Sequence, residues 1–144
     1  MSEQPEVFEL AVNVRYMEVD AQGVVFNAWY LTYFDDAMTA FLAHRGLPYQ
    51  TMLDSGFDVQ LVRSEINYRA GVRWQDPISV AVSPSRYGRT SFTLDFQVRR
   101  ASADGFEVTT EGRTVYVVVD TERHAKRAIP PLLGKALGEP HSLL

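Results

Sequence analysis

One carboxylate in this chain stands where it could carry out acyl chemistry. Asp20 ends a segment of alternating apolar residues and is followed by Gly23, and an apolar segment with helical spacing begins after Asn27. The free N–H groups and positive dipole end of a helix N-terminus favour an oxyanion. A neighbouring carboxylate can act as a nucleophile, or as a general base for water, while those N–H groups polarise a carbonyl. The arrangement therefore suits acyl transfer to water.

A purely structural role for Asp20 is the alternative. Asp is favoured in turns because its side chain accepts hydrogen bonds from nearby backbone N–H groups. The position of Asp20 in the sequence is compatible with both roles, so the functional one needs further support.

The sequence lacks the residues that several other catalytic chemistries require. The chain contains no cysteine, which excludes disulfides, thiolate zinc sites and a cysteine nucleophile. His44, His124 and His141 have no metal-ligand spacing, and there is no G-x-S-x-G, H-E-x-x-H, Walker or dinucleotide glycine motif. We therefore expect neither a metal nor a cofactor.

Length and charge set the class of protein. The 144 residues, 46% of them hydrophobic, suit one compact domain over 1–144, with a core at about 7–130 and a tail at 131–144. A formal charge of -4 gives no global field for nucleic acid or anionic membrane. Residues 1–10 lack a basic segment with an apolar run, and no apolar segment approaches the roughly 20 residues of a membrane helix. We expect a cytoplasmic protein that binds neither nucleic acid nor membrane.

Hydrophobic periodicity predicts the elements on either side of Asp20. Apolar residues alternate through 7–19, which predicts a half-buried strand. From Asn27 the period becomes helical, and the polar stripe is so narrow that the helix must be mostly enclosed. Asn27 is a favourable N-cap, and Gly46 with Pro48 is a stop signal, so the helix is predicted at about 28–45.

Strand patterns dominate the chain from there to Asp120, after a loop or short helical turn at 48–56. The apolar phase shifts within 57–70, which predicts a bulge. Turn residues at Tyr87-Gly88 and Asp104-Gly105 predict that the later strands are neighbouring and antiparallel. Those strands are marked by alternation at 78–82, 92–98 and 115–119.

The order of strand, long helix and four strands predicts an α+β fold with a sheet curved around the helix. Such a sheet leaves edges uncovered, so we expect strong curvature, dimerisation, or both. The apolar run Val115–Val119 strengthens this expectation because it calls for cover. The tail is predicted to contain a short helix around 132–137.

The segment Arg15–Phe34, RYMEVDAQGVVFNAWYLTYF, resembles the signature of the hotdog-fold acyl-CoA thioesterases, in the 4-hydroxybenzoyl-CoA thioesterase and YbgC-like branch. Weaker likeness continues in INYRAGVRWQDPI, RTSF and VYVVVD, so the resemblance covers about 8–130 in the order derived above. It implies a curved antiparallel five-stranded sheet wrapped around one long central helix. It also implies hydrolysis of an acyl-CoA thioester to the free acid and CoA.

The resemblance assigns roles to individual residues. Asp20 matches the family's catalytic aspartate and Gly23 its turn glycine, while Asn27 matches the helix-start position whose backbone N–H polarises the thioester carbonyl. Some relatives carry Tyr or His at this last position. An amide side chain does not titrate, so Asn27 is assigned carbonyl polarisation and no proton transfer. Tyr30 matches the aromatic run of the family's helix, and its role is left open between core packing and substrate contact.

Coenzyme A carries phosphates, which favour Arg or Lys near the mouth of an acyl site. The candidates in loops and at strand ends are Arg86, Arg89, Lys126 and Arg127. Arg89 is the best single candidate because the hydroxyl of Ser91 stands close to it in the sequence. Each of these cations is otherwise an ordinary solvated charge.

Hydrolysis of an acyl-CoA is thus the predicted function, and the resemblance implies a homodimer or homotetramer with sites at the subunit interface. A non-catalytic acyl-CoA-binding module is one alternative, because the fold does not fix the function. A hydratase or dehydratase of enoyl thioesters is another. In the family that chemistry uses an Asp–His pair, and no His stands near Asp20 in the sequence.

Overall fold

A five-stranded antiparallel sheet curves around one long helix in the computed structural model, which describes residues 6–144. The strands are β1 (Phe8–Val12), β2 (Phe57–Tyr68), β3 (Ile78–Tyr87), β4 (Ser91–Ser102) and β5 (Gly105–Asp120). The helices are α1 (Trp29–His44), α2 (Tyr49–Asp54) and α3 (Pro131–Leu137), and a 3-10 helix covers Tyr16–Glu18. The strands lie in the order β1-β3-β4-β5-β2, and each neighbouring pair is antiparallel. The predicted α+β fold with a central helix is therefore confirmed.

The inner face of the sheet packs against α1 because alternate strand residues are apolar and point toward the helix. On β4 the inner residues are Phe92, Leu94, Phe96 and Val98, all fully buried. Phe34 of α1 stacks on Phe96 with ring centroids 4.6 Å apart. The same ring lies over Gly112 of β5, where an added Cβ atom would approach it to 2.4 Å. Glycine at this point therefore lets the helix approach the sheet closely.

The two predicted helices are confirmed to within one or two residues, whereas β3, β4 and β5 extend beyond the alternating stretches at 78–82, 92–98 and 115–119. The helix predicted at 28–45 is α1, and the short helix predicted at 132–137 is α3. The bulge predicted within 57–70 lies between Leu61 and Arg63, where the register of β2 on β5 shifts. The two predicted turns join β3 to β4 and β4 to β5.

The first strand is much shorter than predicted. Alternation through 7–19 predicted one strand, but β1 ends at Val12 and the 3-10 helix follows. The carboxylate of Glu18 accepts a hydrogen bond from the N–H of Arg15 at 2.8 Å, which closes a tight turn. Tyr16 falls within the predicted strand but is consequently 75% exposed. The prediction is wrong because this local side chain to backbone hydrogen bond replaces the strand pairing.

The predicted N-cap at Asn27 is also wrong. Ala28 precedes α1, and no side-chain hydrogen bond caps the helix there. The N–H of Trp29 donates to the carbonyl of Phe26 at 3.0 Å, so the chain turns before the helix begins. The carbonyl of Asn27 accepts a hydrogen bond from the Tyr68 hydroxyl at 3.1 Å. The fold therefore fixes Asn27 through its backbone.

The apolar run Val115–Val119 needs no second molecule for cover. Val117 and Val119 are only 9% and 3% exposed within this chain. The N–H of Arg127 donates to the carbonyl of Val118 at 3.0 Å. The expectation that this run requires a partner is wrong, because the chain beyond β5 folds back along its end.

The last residues of the chain cross the outer face of the sheet and close over a buried carboxylate. Asp95 on β4 is 0% exposed and accepts two hydrogen bonds from Arg113, at 2.8 and 3.1 Å. The Ser142 hydroxyl and the Leu143 N–H donate to its Oδ2 at 2.9 and 3.0 Å. Burial acts to raise the pKa of Asp95, but these hydrogen bonds outweigh it and hold the pKa below its usual value.

Two predictions concern the whole chain. Across residues 6–144, no helix is long and apolar enough to cross a membrane. The domain predicted over 1–144 includes residues 1–5, which lie outside the described residues.

Candidate active site

The loop that carries Asp20 is a tight hairpin between the 3-10 helix and α1. The N–H of Asp20 donates to the carbonyl of Val24, and the N–H of Gly23 to the carbonyl of Asp20, each at 2.9 Å. Gly23 has a φ of 79°, which a residue without a side chain adopts at low cost. The N–H of Val25 donates to the carbonyl of Val72 at 2.8 Å. The loop is therefore tied to the segment before β3 and held next to the start of α1.

The two carboxylate oxygens of Asp20 have different surroundings. Oδ1 accepts a hydrogen bond from the N–H of Gln22 at 2.8 Å, which is the turn role considered above. Within residues 6–144, Oδ2 accepts no hydrogen bond, and Asp20 is only partly buried. The structural and chemical roles are therefore compatible, since one oxygen fixes the side chain and the other stays available.

The start of α1 presents unpaired backbone donors. Among the residues described, the N–H groups of Asn27 and Ala28 have no hydrogen-bond acceptor, and both residues are exposed. The helix dipole adds positive potential at this end. Val24 pairs with Asp20 across the hairpin. It precedes Asn27 by a few residues, which span about 10 Å in an extended chain. The hairpin therefore joins the arm that carries Asp20 to the arm that carries these N–H groups.

Glu18 is a positioning residue that sequence reasoning missed. Its side chain is 3% exposed and accepts a hydrogen bond from the Tyr33 hydroxyl of α1 at 3.0 Å. The carbonyl of Glu18 accepts the N–H of Phe26 at 2.9 Å. Burial, with the neighbouring Glu18 carboxylate, raises the pKa of Tyr33 well above its usual value. Through its carbonyl Glu18 joins the two arms of the Asp20 hairpin, and through its side chain it joins the hairpin to α1.

Tyr30 and Tyr68 form the floor below the helix start. Tyr30 is 2% exposed, and its ring meets those of Tyr33 and Tyr68 edge-on, with centroids 5.8 and 5.4 Å away. Burial raises the pKa of Tyr30. Tyr68 holds the carbonyl of Asn27, a role that no sequence signal indicated. Tyr30 thus packs beneath the site in this structure, and its contact with substrate stays a prediction.

The polar residues predicted to contact CoA lie at the opposite end of the sheet. They are Arg86, Arg89, Ser91 and Lys126. Arg100 lies at the end of the sheet that is close to Asp20. Its guanidinium donates to the carbonyl of Gly71 at 2.8 Å, and the next residue, Val72, accepts the N–H of Val25 in the hairpin. Ser91 and Arg100 stand near opposite ends of β4, about 30 Å apart at the usual rise per residue. One chain brings Asp20, Gly23 and Asn27 together and leaves the basic candidates out of their reach.

No histidine lies beside the Asp20 hairpin. His44 ends α1, about 24 Å along the helix axis from its start. His124 follows β5, and His141 lies in the tail against Pro84, whose carbonyl accepts its N–H at 2.6 Å. In the part of the chain that the structure describes, no group of three or more His, Cys, Asp or Glu side chains could hold a metal ion. Within one chain, no histidine is therefore placed to form an Asp–His pair with Asp20.

Known proteins share this arrangement of strands and helix. The family model of the thioesterase-like superfamily matches residues 14–137. A relative from Aquifex aeolicus with a provisional esterase name is 33% identical over 85 residues, which are 59% of this chain and 66% of that relative. The acyl-CoA thioester hydrolase YbgC of Shigella flexneri is 27% identical over 124 residues, covering 86% of this chain and 90% of the relative. The crystal structure of a hypothetical protein from Aquifex aeolicus aligns with a TM-score of 0.83 at 27% identity, over 91% of this chain and 99% of the other.

Proposed function

Because the chain belongs to the thioesterase-like superfamily, we propose that it hydrolyses acyl-CoA thioesters at the Asp20 hairpin. The observations that support this proposal are that, within residues 6–144, Oδ2 of Asp20 accepts no hydrogen bond and the N–H groups of Asn27 and Ala28, on the arm of the same hairpin that leads into α1, have no acceptor. A relative that covers most of this chain's length is named as an acyl-CoA thioester hydrolase, which supports the same substrate class.

The residues perform hydrolysis by two routes that use the same carboxylate. As a general base, Asp20 takes a proton from water, whose oxygen adds to the thioester carbonyl. As a nucleophile, its Oδ2 adds instead, and water then cleaves the resulting anhydride. In both routes the N–H groups of Asn27 and Ala28 hydrogen-bond the oxyanion, the C–S bond breaks, and the CoA thiolate leaves and takes up a proton. Gly23 allows the turn that holds Asp20 in place.

A second copy of the chain supplies the missing basic residues in this proposal. β2 is an edge strand of 12 residues, and its outer side has no partner among the described strands. Leu61, Val62 and Tyr68 on it are 45, 57 and 53% exposed, an unusual apolar surface for an edge. The other edge, β1, has only 5 residues. Pairing of β2 with the β2 of a partner would cover the longer apolar edge.

Such pairing would also bring opposite ends of two sheets together. Two copies of one strand that pair around a two-fold axis run antiparallel, because the interface is self-complementary. The Tyr68 end of β2, where Asp20 lies, then faces the Phe57 end of the partner's strand. Arg89 and Lys126 lie at that second end, so the partner's Arg89 and the partner's Lys126 come toward the mouth of the Asp20 site. In the proposed dimer, the basic residues of one chain therefore lie near the Asp20 site of the other chain, although they are about 30 Å from the Asp20 end of their own sheet.

Val62→Asp is expected to convert the dimer into a monomer. The substitution places a carboxylate on the edge of β2 where the pairing would remove it from water, and desolvation of an unpaired charge opposes association. Light scattering coupled to size-exclusion chromatography measures the mass directly. We expect about twice the 16.3 kDa chain mass for the native protein and the chain mass for the variant.

Leu132→Asp serves as the matched control. Leu132 is 40% exposed on α3, so the change introduces the same charge at an exposed leucine outside β2. The control should keep the mass of the native protein. A native protein that is monomeric, or a Val62→Asp variant that keeps the native mass, contradicts pairing through β2.

Thiol release from a panel of acyl-CoAs tests the proposed function. The native protein is expected to hydrolyse at least one class of acyl-CoA, and the absence of cysteine removes any background from protein thiols. The panel spans aromatic, short aliphatic and long aliphatic acyl groups, and an acyl-carrier-protein thioester extends it. Acyl-CoAs that bind without any release of thiol would contradict hydrolysis and favour the binding module.

A further inference from the structure

The two unpaired N–H groups before α1 each belong to a peptide unit whose carbonyl is held by a hydrogen bond. No peptide bond within residues 6–144 is cis. In a planar trans peptide, the C=O of one residue and the N–H of the next point in opposite directions. A hydrogen bond to the carbonyl therefore also fixes the direction of the N–H on the other side of the same unit.

The peptide unit between Phe26 and Asn27 is fixed by a local turn. The carbonyl of Phe26 accepts the N–H of Trp29 at 3.0 Å, so the N–H of Asn27 points away from Trp29. This hydrogen bond joins residues only three positions apart. It forms with the turn itself and needs no contact with the sheet.

The peptide unit between Asn27 and Ala28 is fixed by the sheet. The Tyr68 hydroxyl of β2 donates to the carbonyl of Asn27 at 3.1 Å. Within residues 6–144, no backbone N–H donates to that carbonyl. The N–H of Ala28 consequently points away from Tyr68. The direction of this donor therefore depends on one side chain that lies 41 positions from Asn27 in the chain.

The ring of Tyr68 is itself held in place. Tyr68 pairs with Thr110 at the end of β2, and its ring meets that of Tyr30 edge-on, with centroids 5.4 Å apart. Tyr30 is only 2% exposed, so it gives the Tyr68 ring a firm support. Burial raises the pKa of Tyr68, and its hydroxyl therefore keeps the proton that it donates at neutral pH.

We propose that Tyr68 is a positioning residue for hydrolysis, because it orients the N–H of Ala28 toward the oxyanion by holding the carbonyl of Asn27. This inference rests on the proposed function, in which that N–H stabilises the oxyanion. A donor that is oriented before the substrate arrives needs no rearrangement as charge develops on the oxygen. Tyr68 acts through the peptide unit and makes no contact with the reacting atoms.

A purely structural role and a contact with substrate would each give different kinetics. Tyr68→Phe keeps the ring against Tyr30 and removes only the hydroxyl. If the hydroxyl served stability alone, the folded variant would retain the native kcat. If the hydroxyl bound the substrate equally in the ground state and the transition state, KM would rise while kcat stayed unchanged.

Tyr68→Phe is expected to lower kcat by about tenfold and to leave KM within about twofold of native, because a misdirected donor weakens an interaction that forms only in the transition state. Tyr87→Phe is the matched control. The Tyr87 hydroxyl, at the far end of β3, also donates to a backbone carbonyl, that of Gly138. The control should keep the native kcat and KM, and both variants should keep the native mass in light scattering. Thiol release from the best acyl-CoA of the panel measures both constants.

Amide chemical shifts test the orientation without turnover. Tyr68→Phe should move the amide shift of Ala28, whose peptide unit loses its hydrogen bond. The shift of Asn27 should move less, since the carbonyl of its unit keeps the hydrogen bond from Trp29. Tyr87→Phe should move neither shift. An Ala28 shift that is the same in the native protein and in Tyr68→Phe would overturn the positioning role.

Two kinetic results would overturn the positioning role and leave the proposed function standing. The first is a native kcat in Tyr68→Phe. The second is a rise in KM alone, which would make the hydroxyl a substrate contact. A native protein that hydrolyses no acyl-CoA would instead contradict the proposed function, and the positioning role would fail with it.

Discussion

Asp20→Asn is expected to lower kcat/KM for the best acyl-CoA substrate by about 100-fold or more. Loss of a general base or of a nucleophile typically has an effect of this size. An amide can neither take a proton from water nor add to a thioester at a useful rate. The release of thiol at low substrate concentration measures the effect directly.

The geometry of the hairpin indicates that this substitution removes the charge of Asp20 without disturbing the fold. Oδ1 of Asp20 accepts the N–H of Gln22 at 2.8 Å, and the amide oxygen of Asn can accept the same hydrogen bond. The main-chain hydrogen bonds of Gly23 and Val24 do not depend on the carboxylate. The melting temperature of the variant should therefore stay close to the native value while activity falls.

Asp36→Asn is the matched control for charge. Asp36 is an exposed carboxylate on α1, one residue beyond Asp35, and it lies outside the hairpin. The control variant should retain activity within a few-fold of native. Turnover that survives in Asp20→Asn would show that the catalytic group is a different residue, and the proposed mechanism would then be wrong.

Asp95→Asn is expected to destabilise the fold by about 3 kcal/mol. The carboxylate of Asp95 is fully buried and is held by Arg113, Ser142 and Leu143. An amide cannot accept hydrogen bonds at both positions, so donors that now reach the carboxylate lose a buried acceptor, while Arg113, 41% exposed, keeps its contact with water. Urea unfolding at pH 7 measures the change in the free energy of unfolding.

The same carboxylate makes stability depend on acid. The pKa of Asp95 is lowered in the folded state, whereas its value in the unfolded chain is about 3.9. The stabilisation by Asp95 is therefore fully present above the unfolded value and is lost as the pH falls below about 4 through the folded pKa. The free energy of unfolding of Asp95→Asn should change less between pH 5 and pH 3 than that of the native protein.

Glu65→Gln provides the comparison for Asp95→Asn. Glu65 also pairs with an arginine on the outer face, but both side chains of the Arg63–Glu65 pair are more than half exposed. Exposed ion pairs contribute little, so this variant should lie within about 0.5 kcal/mol of native. Equal stabilities for the two variants would contradict a structural role for the buried carboxylate.

Local patterns in the sequence were sufficient for most of the fold. The narrow polar stripe of α1, its stop at Gly46 and the alternation in β4 each depend on neighbouring residues, and such signals predict an element without knowledge of its partners. The bulge after Leu61 was visible as a shift of apolar phase for the same reason. The errors, a strand extended through 7–19 and an N-cap at Asn27, both fall on the loop that carries Asp20.

Those errors have a common physical cause. Glu18 bonds the backbone of Arg15 and the hydroxyl of Tyr33, and Tyr68 holds the carbonyl of Asn27. The last two contacts join residues that are 15 and 41 positions apart in the chain. The Arg15–Glu18 hydrogen bond is local and interrupts the alternation, whereas the two longer contacts fix the loop against α1 and β2, and no local preference encodes contacts of that range.

The sequence by itself predicted a curved sheet around one helix, and it singled out Asp20 from its place before the start of that helix. The resemblance to the thioesterase family then assigned roles to Gly23 and Asn27. Only the tertiary structure decided which groups surround them. It placed Arg89, Ser91 and Lys126 at the far end of the sheet, and it joined Glu18 to Tyr33 and Tyr68 to Asn27 around the hairpin. The reason is that a sheet brings together residues by register across strands, and register depends on how all five strands pair.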